Sequence, residues 1–358
     1  MRKLFKILLY ILSGLLLTAA AYVAYVFLTY TRIEDNLPVS TGGNAEKQAP
    51  ADGEYTVVTY NLGYGAYTDD YTFFMDDGKE SRARSKESVI DCITNCSDIA
   101  LSFDPDFVLF QEVDKDATRS HHVDETQIIN GIFGKNGDYD NVYASNYHSA
   151  YLMYPLTDPI GASESGLLTQ SRFDITSSLR RSLPVSDGFN KILDLDRCYC
   201  ISRIPVDDGK ELVLVNLHMS AYGTNRELGD AQLIKIFGDL SAEYAKGNYV
   251  VCGGDFNHDF TKTSKEYFNP GTDLEFGWCE PFPDNVIPEG FSKCTGYEEG
   301  PFATTRYTNK PYGPDSFTVI VDGFIVSDNV SVNYVSNIDK GFKYSDHNPV
   351  VMRFSLVR

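Results

Sequence analysis

The feature that most constrains the fold is a recurrence of short β-branched or aromatic runs that each stop at a polar residue. Tyr55–Tyr60 (YTVVTY) closes on Asn61-Leu62-Gly63, Phe107–Phe110 (FVLF) runs into Gln111-Glu112, and Glu211–Leu217 (ELVLVNL) ends at His218. Tyr249–Cys252 (YVVC) leads to Gly253-Gly254-Asp255, with Asn257 two residues on. Thr318–Val326 (TVIVDGFIV) carries Asp322, and Pro349–Phe354 directly follows Asp346-His347. Such runs bounded by turn-forming residues read as buried strands. Helical spacing interleaves with them. Arg84–Phe103 repeats Val89, Ile90, Ile93, Ile99, Ala100 and Phe103 before Asp104-Pro105, and Arg226–Tyr244 repeats Leu228, Leu233, Ile234, Phe237 and Leu240. Strands outnumber helices, which favours paired sheets faced by helices.

Ahead of this pattern, the 24 residues from Ile7 to Tyr30 carry no charge. At about 1.5 Å of rise per residue they span the roughly 30 Å hydrocarbon layer of a bilayer. Arg2, Lys3 and Lys6 precede the run, whereas Arg32 beyond it is soon offset by Glu34 and Asp35. That basic bias puts residues 1–6 in the cytoplasm, makes 7–30 a single-pass anchor in the cell membrane, and leaves the rest extracellular. A cleaved secretory signal competes, because Thr18-Ala19-Ala20-Ala21 offers small residues, but the apolar run exceeds the usual length of a signal core. Residues 31–53, rich in Pro, Gly, Ala and polar residues, read as a flexible linker, with one domain over 54–358.

Charge bears on the partner. The chain has 31 Lys and Arg against 50 Asp and Glu; three of the basic residues lie before the apolar run, so the exposed part carries 28 against 50, a net of −22. Such a field repels polyanions at long range, which weakens a nucleic-acid substrate without excluding it, since a bound cation changes the local potential. The seven cysteines (Cys92, Cys96, Cys198, Cys200, Cys252, Cys279, Cys294) form neither a CxxC nor a four-Cys zinc pattern and read as small buried apolar residues.

If the sheets bring the strand ends together, one pocket holds three carboxylates, two amides and two imidazoles. No G-x-S-x-G is present, so a hydrolytic serine does not compete. An oxygen-rich set suits a hard cation such as Mg²⁺ better than zinc.

Six segments resemble the successive signatures of the endonuclease/exonuclease/phosphatase superfamily: TYNLG (Thr59–Gly63), LFQEVD (Leu109–Asp114), VNLHMSAYG (Val215–Gly223), GGDFNHD (Gly253–Asp259), IVDGFIVSD (Ile320–Asp328) and SDHNPV (Ser345–Val350). That superfamily includes pancreatic-type deoxyribonucleases, neutral sphingomyelinases, inositol polyphosphate 5-phosphatases and abasic-site endonucleases. The resemblance covers nearly all of residues 55–356 and implies an α+β fold, a four-layered αββα sandwich of two mixed sheets. It implies Mg²⁺ (with Mn²⁺ as an alternative) held by Glu112, supported by Asn61 and Asp346. Asp322 and His347 resemble the carboxylate–imidazole pair that activates water, while Asp255 and Asn257 would position the nucleophile. His218 resembles the imidazole that donates to the phosphoryl oxygen or leaving group. His218, where Tyr is usual, and Gly63, where Asp is common, separate the chain from abasic-site endonucleases.

Arg197 and Arg306 are candidate phosphate ligands, with structural ion pairs as the competing reading. Arg82, Arg84 and Lys86 read as a solvated helix start, and His121, His122, His148 and His258 match no motif. The segments 146–155 (NYHSAYLMYP) and 260–314, the latter with the sole Trp278, separate the motifs and are expected to set substrate choice. The function expected is hydrolysis of a phosphoester (a lipid head group, a small phosphoester or nucleic acid) outside the membrane. An extracellular nuclease and a catalytically silent binding module are the alternatives, and no protein partner is inferred.

Overall fold

The computed structural model describes residues 2–29, 31–186, 196–221, 226–271, 279–296 and 301–358. In chain order they form α1 (Arg2–Thr29), β1 (Leu37–Val39), β2 (Thr41–Gly43), β3 (Glu54–Asn61), α2 (Lys86–Leu101), β4 (Phe107–Ala117), α3 (Glu125–Asn136), β5 (Asp140–Leu152), β6 (Gly161–Ser171), β7 (Ser177–Ser182), β8 (Cys198–Pro205) and β9 (Glu211–His218). There follow α4 (Arg226–Tyr244), β10 (Tyr249–Asp255), α5 (Ser264–Phe268), β11 (Phe291–Cys294), β12 (Thr305–Arg306), β13 (Thr318–Val319), β14 (Asp322–Ser327), β15 (Val330–Asn337) and β16 (Val350–Leu356).

Among the described residues, two seven-stranded mixed sheets face each other. The first has the order β15-β16-β3-β4-β6-β5-β2 and the second β1-β7-β8-β9-β10-β14-β11. Each contains one parallel pair, β3 with β4 and β9 with β10, and antiparallel neighbours elsewhere. Parallel neighbours need a crossover, supplied by α2 in the first sheet and α4 in the second. Ser85 caps α2 by accepting from Ser88 N at 3.1 Å. The apolar stripe Val89, Ile93, Cys96 and Ala100 then packs with Ile129 and Phe133 of α3 on the outer face of the first sheet. Leu233, Ile236, Phe237 and Leu240 of α4 cover the second. The fold is the expected αββα sandwich.

Alternation along each strand sorts its side chains between the layers. Tyr55 and Val57 of β3, Leu212 and Leu214 of β9, Tyr249 and Val251 of β10 and Phe324 and Val326 of β14 fill the core between the sheets, together with Cys198 and Cys200. Val58, Tyr60, Val213, Val250 and Ile325 face the helices. All seven cysteines are free thiols, six of them buried, in keeping with their reading as apolar residues.

Two expectations change. Residues 37–43, placed in a flexible linker, form β1 and β2, which pair with β7 and β5 at the edges of the two sheets. Their backbone groups find partners that composition does not reveal, and Pro38 sits on an edge strand where a missing N–H is tolerated. The run 318–326 breaks into β13 and β14, because Val321 N and Asp322 N donate to Thr304 Oγ1 (2.9 and 3.1 Å) rather than continuing one ladder.

The apolar core ends in an amide layer. Gln111 Nε2 donates across the sheets to Asn216 Oδ1 at 2.9 Å, and Asn216 Nδ2 donates to Phe110 O, Leu168 O and Thr169 Oγ1 at 3.1 to 3.3 Å. Asn216 is wholly buried, so its loss leaves several polar groups without partners. Asn216→Ala is expected to lower unfolding stability by about 2–4 kcal/mol, measured by chemical denaturation.

Candidate active site

The same alternation that builds the core carries the site. Continuing each inward-facing row in steps of two residues places Asn61 on β3, His218 on β9, Asp255 on β10 and Asp322 on β14 between the sheets, above the amide layer. In the second sheet, the register sets Asp255 opposite both His218 and Asp322. Glu112 is the exception, since simple alternation from Val108 and Phe110 would turn it toward the helices. A register shift between Phe110 and Val113, with Glu112 at φ +52°, passes the outward position to Val113 and frees Glu112 for the site. Asn257 also has a positive φ, +50°, and such strained positions gather at functional sites.

Asn61 ties the sheets together. Its Nδ2 donates to Asp255 Oδ2 at 3.1 Å and to Glu112 Oε1 at 3.2 Å, while its Oδ1 accepts from Gly63 N at 3.0 Å. Ser345 holds the loop before β16 by donating to Asn61 O (2.8 Å) and accepting from His347 N (3.1 Å). A Cβ on Gly63 would come within 2.7 Å of Asp346 Oδ1, so the Asp common here in abasic-site endonucleases has no room.

His347 Nδ1–H donates to Asp322 Oδ2 at 2.8 Å, and its Nε2 lies 3.8 Å from Asp255 Oδ2. Burial opposes a charge on His347, but Asp322, with Asp255 and Asp346 adding to it, raises the imidazole to about 10. His218 behaves oppositely. Burial and the charges of Arg197, His347 and Arg119 hold it well below its usual value, so its Nε2, 3.4 Å from Asp255 Oδ2, belongs to a neutral ring. Asn257 N donates to Asp255 Oδ1 at 2.9 Å, and its Nδ2 to Met219 O.

A cavity of about 410 Å³ opens over these groups. Every residue expected at the site is there: Glu112, His218, Asp255, Asn257, Asp346, His347, Arg197 and Arg306 line it, and Asn61 and Asp322 stand behind. Arg306 is buried, with Nη2 donating to Thr68 O and Tyr71 O, so its guanidinium is largely committed to backbone. Arg119 lines the cavity and was not anticipated. Its fork grips Asp114 at 2.8 and 3.1 Å and its plane stacks 3.7 Å from the Tyr64 ring. The signal was an Arg five residues after LFQEVD, indistinguishable in sequence from a surface cation. Arg84 pairs instead with the exposed Asp70, and Arg82 with Pro159 O and Asp158. The four remaining histidines bond elsewhere: His121 to Ala83 O, His122 to Asp116, His148 to Asp196 and His258 to Phe256 O. Trp278, and Tyr222 and Gly223 of the His218 motif, lie outside the described residues.

The donor chemistry fits a hard divalent cation. Burial pushes Asp346 to about 6 despite His347, with Glu112 adding to the rise, and pushes Asp255 to about 7 with Asp322 adding. His347 offsets only part of the negative charge crowded here, and an oxygen-seeking cation such as Mg²⁺ would offset more. Ligand atoms of Asp255, Asp322 and His347 also lie within 4.8 Å of one another, but His347 Nδ1 is already engaged by Asp322. Asn61 turns its Nδ2 rather than its oxygen toward Glu112.

The model of the endonuclease/exonuclease/phosphatase family matches residues 58–347. The chain belongs to this family. Its members are hydrolases of phosphoester bonds. No curated protein matches this family member in sequence. Its fold is shared by solved structures of low identity. An endonuclease/exonuclease/phosphatase from Beutenbergia cavernae is 17% identical, with TM-score 0.56 over 85% of this chain and 72% of that one. D. rerio TDP2, complexed with a single-strand DNA product, is 14% identical, with TM-score 0.52 over 85% and 100%. ANGEL2, a 2′,3′-cyclic phosphatase in complex with adenosine-2′,3′-vanadate, is 15% identical, with TM-score 0.55 over 89% and 99%.

The raised carboxyls set a pH dependence. Asp255 (3.8 to about 7) and Asp346 (3.8 to about 6) bind protons more tightly folded than unfolded, so their contribution is present below pH 3.8 and is lost as pH climbs toward 7. The metal-free protein should lose melting temperature across this window, Asp255→Asn should flatten the slope, and added Mg²⁺ should restore melting temperature at the upper end.

Proposed function

We propose that this family member hydrolyses a phosphoester by direct attack of water, with Mg²⁺ held by Glu112 and Asp346, outside the membrane to which α1 anchors it. The observation that carries the chemistry is the His347–Asp322 pair, with a free Nε2 facing the cavity and a carboxylate fixing Nδ1. In that arrangement the ring takes a proton at Nε2 while Asp322 orients it and stabilises its charge. Asp255 lies 3.8 Å from that nitrogen, placed to hold the water between them. When bound, Mg²⁺ supplies positive charge to the phosphoryl oxygens and, beside Glu112 and Asp346, weakens the field that keeps His347 protonated. Water contributes hydroxide to phosphorus, the ester P–O bond breaks, and the departing alkoxide takes the remaining proton. His218, neutral and across Asp255 from His347, can donate N–H to a phosphoryl or leaving oxygen. Arg197 and Arg119 both line the cavity and add positive charge to its wall.

Hydrolysis of bis(p-nitrophenyl) phosphate should require Mg²⁺ or Mn²⁺ and stop with EDTA. His347→Ala and Asp322→Asn should each lower kcat by about 10² or more in folded protein. His218→Ala should cost much less with a good leaving group such as p-nitrophenolate than with a poor one. Metal-independent turnover, or near-normal kcat in His347→Ala, would reject the mechanism.

The anchor rests on α1, which is long and apolar enough to cross a membrane, and on the basic residues before it. Protease added to intact cells should degrade the part beyond Asn36; protection while external control proteins are cleaved would reverse the topology.

A further inference from the structure

The anchor helix meets the domain at the mouth of the cavity. The charge-free run of α1 begins at Ile7 and is exposed as far as Ala21; counted from Ile7, a hydrocarbon layer of about 30 Å takes about twenty residues and ends near Val26. Contact with the domain starts at Tyr22 and continues one turn on at Val26, which is buried. Tyr22 OH accepts from Met153 N at 2.9 Å and donates to Tyr151 O at 3.3 Å, so the end of β5 is fastened to the outermost turns of the apolar run. The connection that follows is short and tied down. Ile33 N donates to Asp196 Oδ1 at 2.7 Å, and the buried Arg180 donates to Glu34 O at 3.1 Å, Ser145 O at 2.7 Å and Asp196 O at 2.6 Å. The outer end of α1 and the residues that follow it are therefore joined to the domain by several hydrogen bonds.

Beside that junction lies an apolar rim. In the segment following β5, Met153 is 46%, Tyr154 68% and Leu156 81% exposed, an arrangement that water disfavours and a bilayer interface satisfies. Tyr22, Tyr154, Leu152 and Phe74 form the wall of the cavity whose floor holds Glu112 and His347. One cavity thus joins an apolar opening at membrane level to a hydrolytic floor. A nucleic acid matches neither this rim nor the net charge of −22.

We propose that the substrate is the phosphoester of a membrane lipid, entering from the leaflet beside α1. Its phosphate reaches the carboxylate and imidazole floor while its hydrocarbon chains stay against Tyr154, Phe74 and Leu156. The inference rests on the anchored-hydrolase reading above and adds the substrate class to it.

The test uses the full chain in dodecyl maltoside micelles with Mg²⁺. The micelles carry sphingomyelin, phosphatidylcholine, phosphatidylglycerol or a phosphatidylinositol phosphate. Each is compared with its chain-free head-group ester, and all with single-stranded DNA and bis(p-nitrophenyl) phosphate. At least one long-chain lipid should exceed its chain-free counterpart and DNA by about tenfold or more in kcat/KM, the scale of burying apolar surface on binding. Leu156→Asp should lose about tenfold on that lipid while its melting temperature and its turnover of bis(p-nitrophenyl) phosphate stay unchanged. Equal turnover of chain-free esters, preference for DNA, or a parallel loss on lipid and soluble ester would overturn the lipid assignment and leave the hydrolase reading standing. Absence of turnover on every compound, the nitrophenyl ester included, would defeat the hydrolase reading and the lipid assignment with it.

Discussion

The hydrogen bond from Asn61 Nδ2 to Asp255 Oδ2 joins the two sheets at the one end where their apolar core stops. Below it, apolar side chains from both sheets interdigitate; next comes the Gln111–Asn216 amide layer; above that the inward rows turn ionisable. A pair of packed sheets must end its core somewhere, and polar groups there must satisfy one another or meet solvent. In this protein the amides seal the core, so that the carboxylates and imidazoles above them are held by backbone register.

Electrostatics follow from that placement. Four carboxylates, from Glu112, Asp255, Asp322 and Asp346, share a small volume with two imidazoles, and burial raises the carboxyls of Asp255 and Asp346. The result is an uneven distribution of protons: His347, flanked by acids, is driven toward the charged form, while His218, facing Arg197 and Arg119, is driven toward the neutral one. Identical side chains are thereby given different environments: Asp322 fixes Nδ1 of His347, while burial and nearby cations keep His218 neutral. Arg119 contributes to this division at a distance, because its own hydrogen bonds are taken by Asp114.

Attachment shapes access. The segment between α1 and β3 contributes an edge strand to each sheet, so the anchor is continuous with the sandwich instead of hanging from it. With Tyr22 on the wall of the cavity and bonded to Met153, the end of the apolar helix borders the opening of the site.

Much of this was legible in the chain. Period-two runs ending at Asn61, His218 and Asp255 marked strands and the residues they would deliver, and the order of motifs identified the family, because strand alternation and turn chemistry are local properties. Glu112 stood out as a polar residue at a strand end, but not the bulge that turns it inward, since a register shift is defined only against β6. Arg119 passed unnoticed, and residues 31–53 looked like a tether, because what distinguishes a buried Arg or an edge strand from a solvated one is its partner, which lies far away in sequence. The sequence by itself determined which residues could do the chemistry and that an apolar helix precedes them. Only the tertiary structure decided that the protons of His347 and His218 are held oppositely and that the cavity opens beside that helix, because both depend on which charged and apolar surfaces the two sheets bring within a few ångströms of each other.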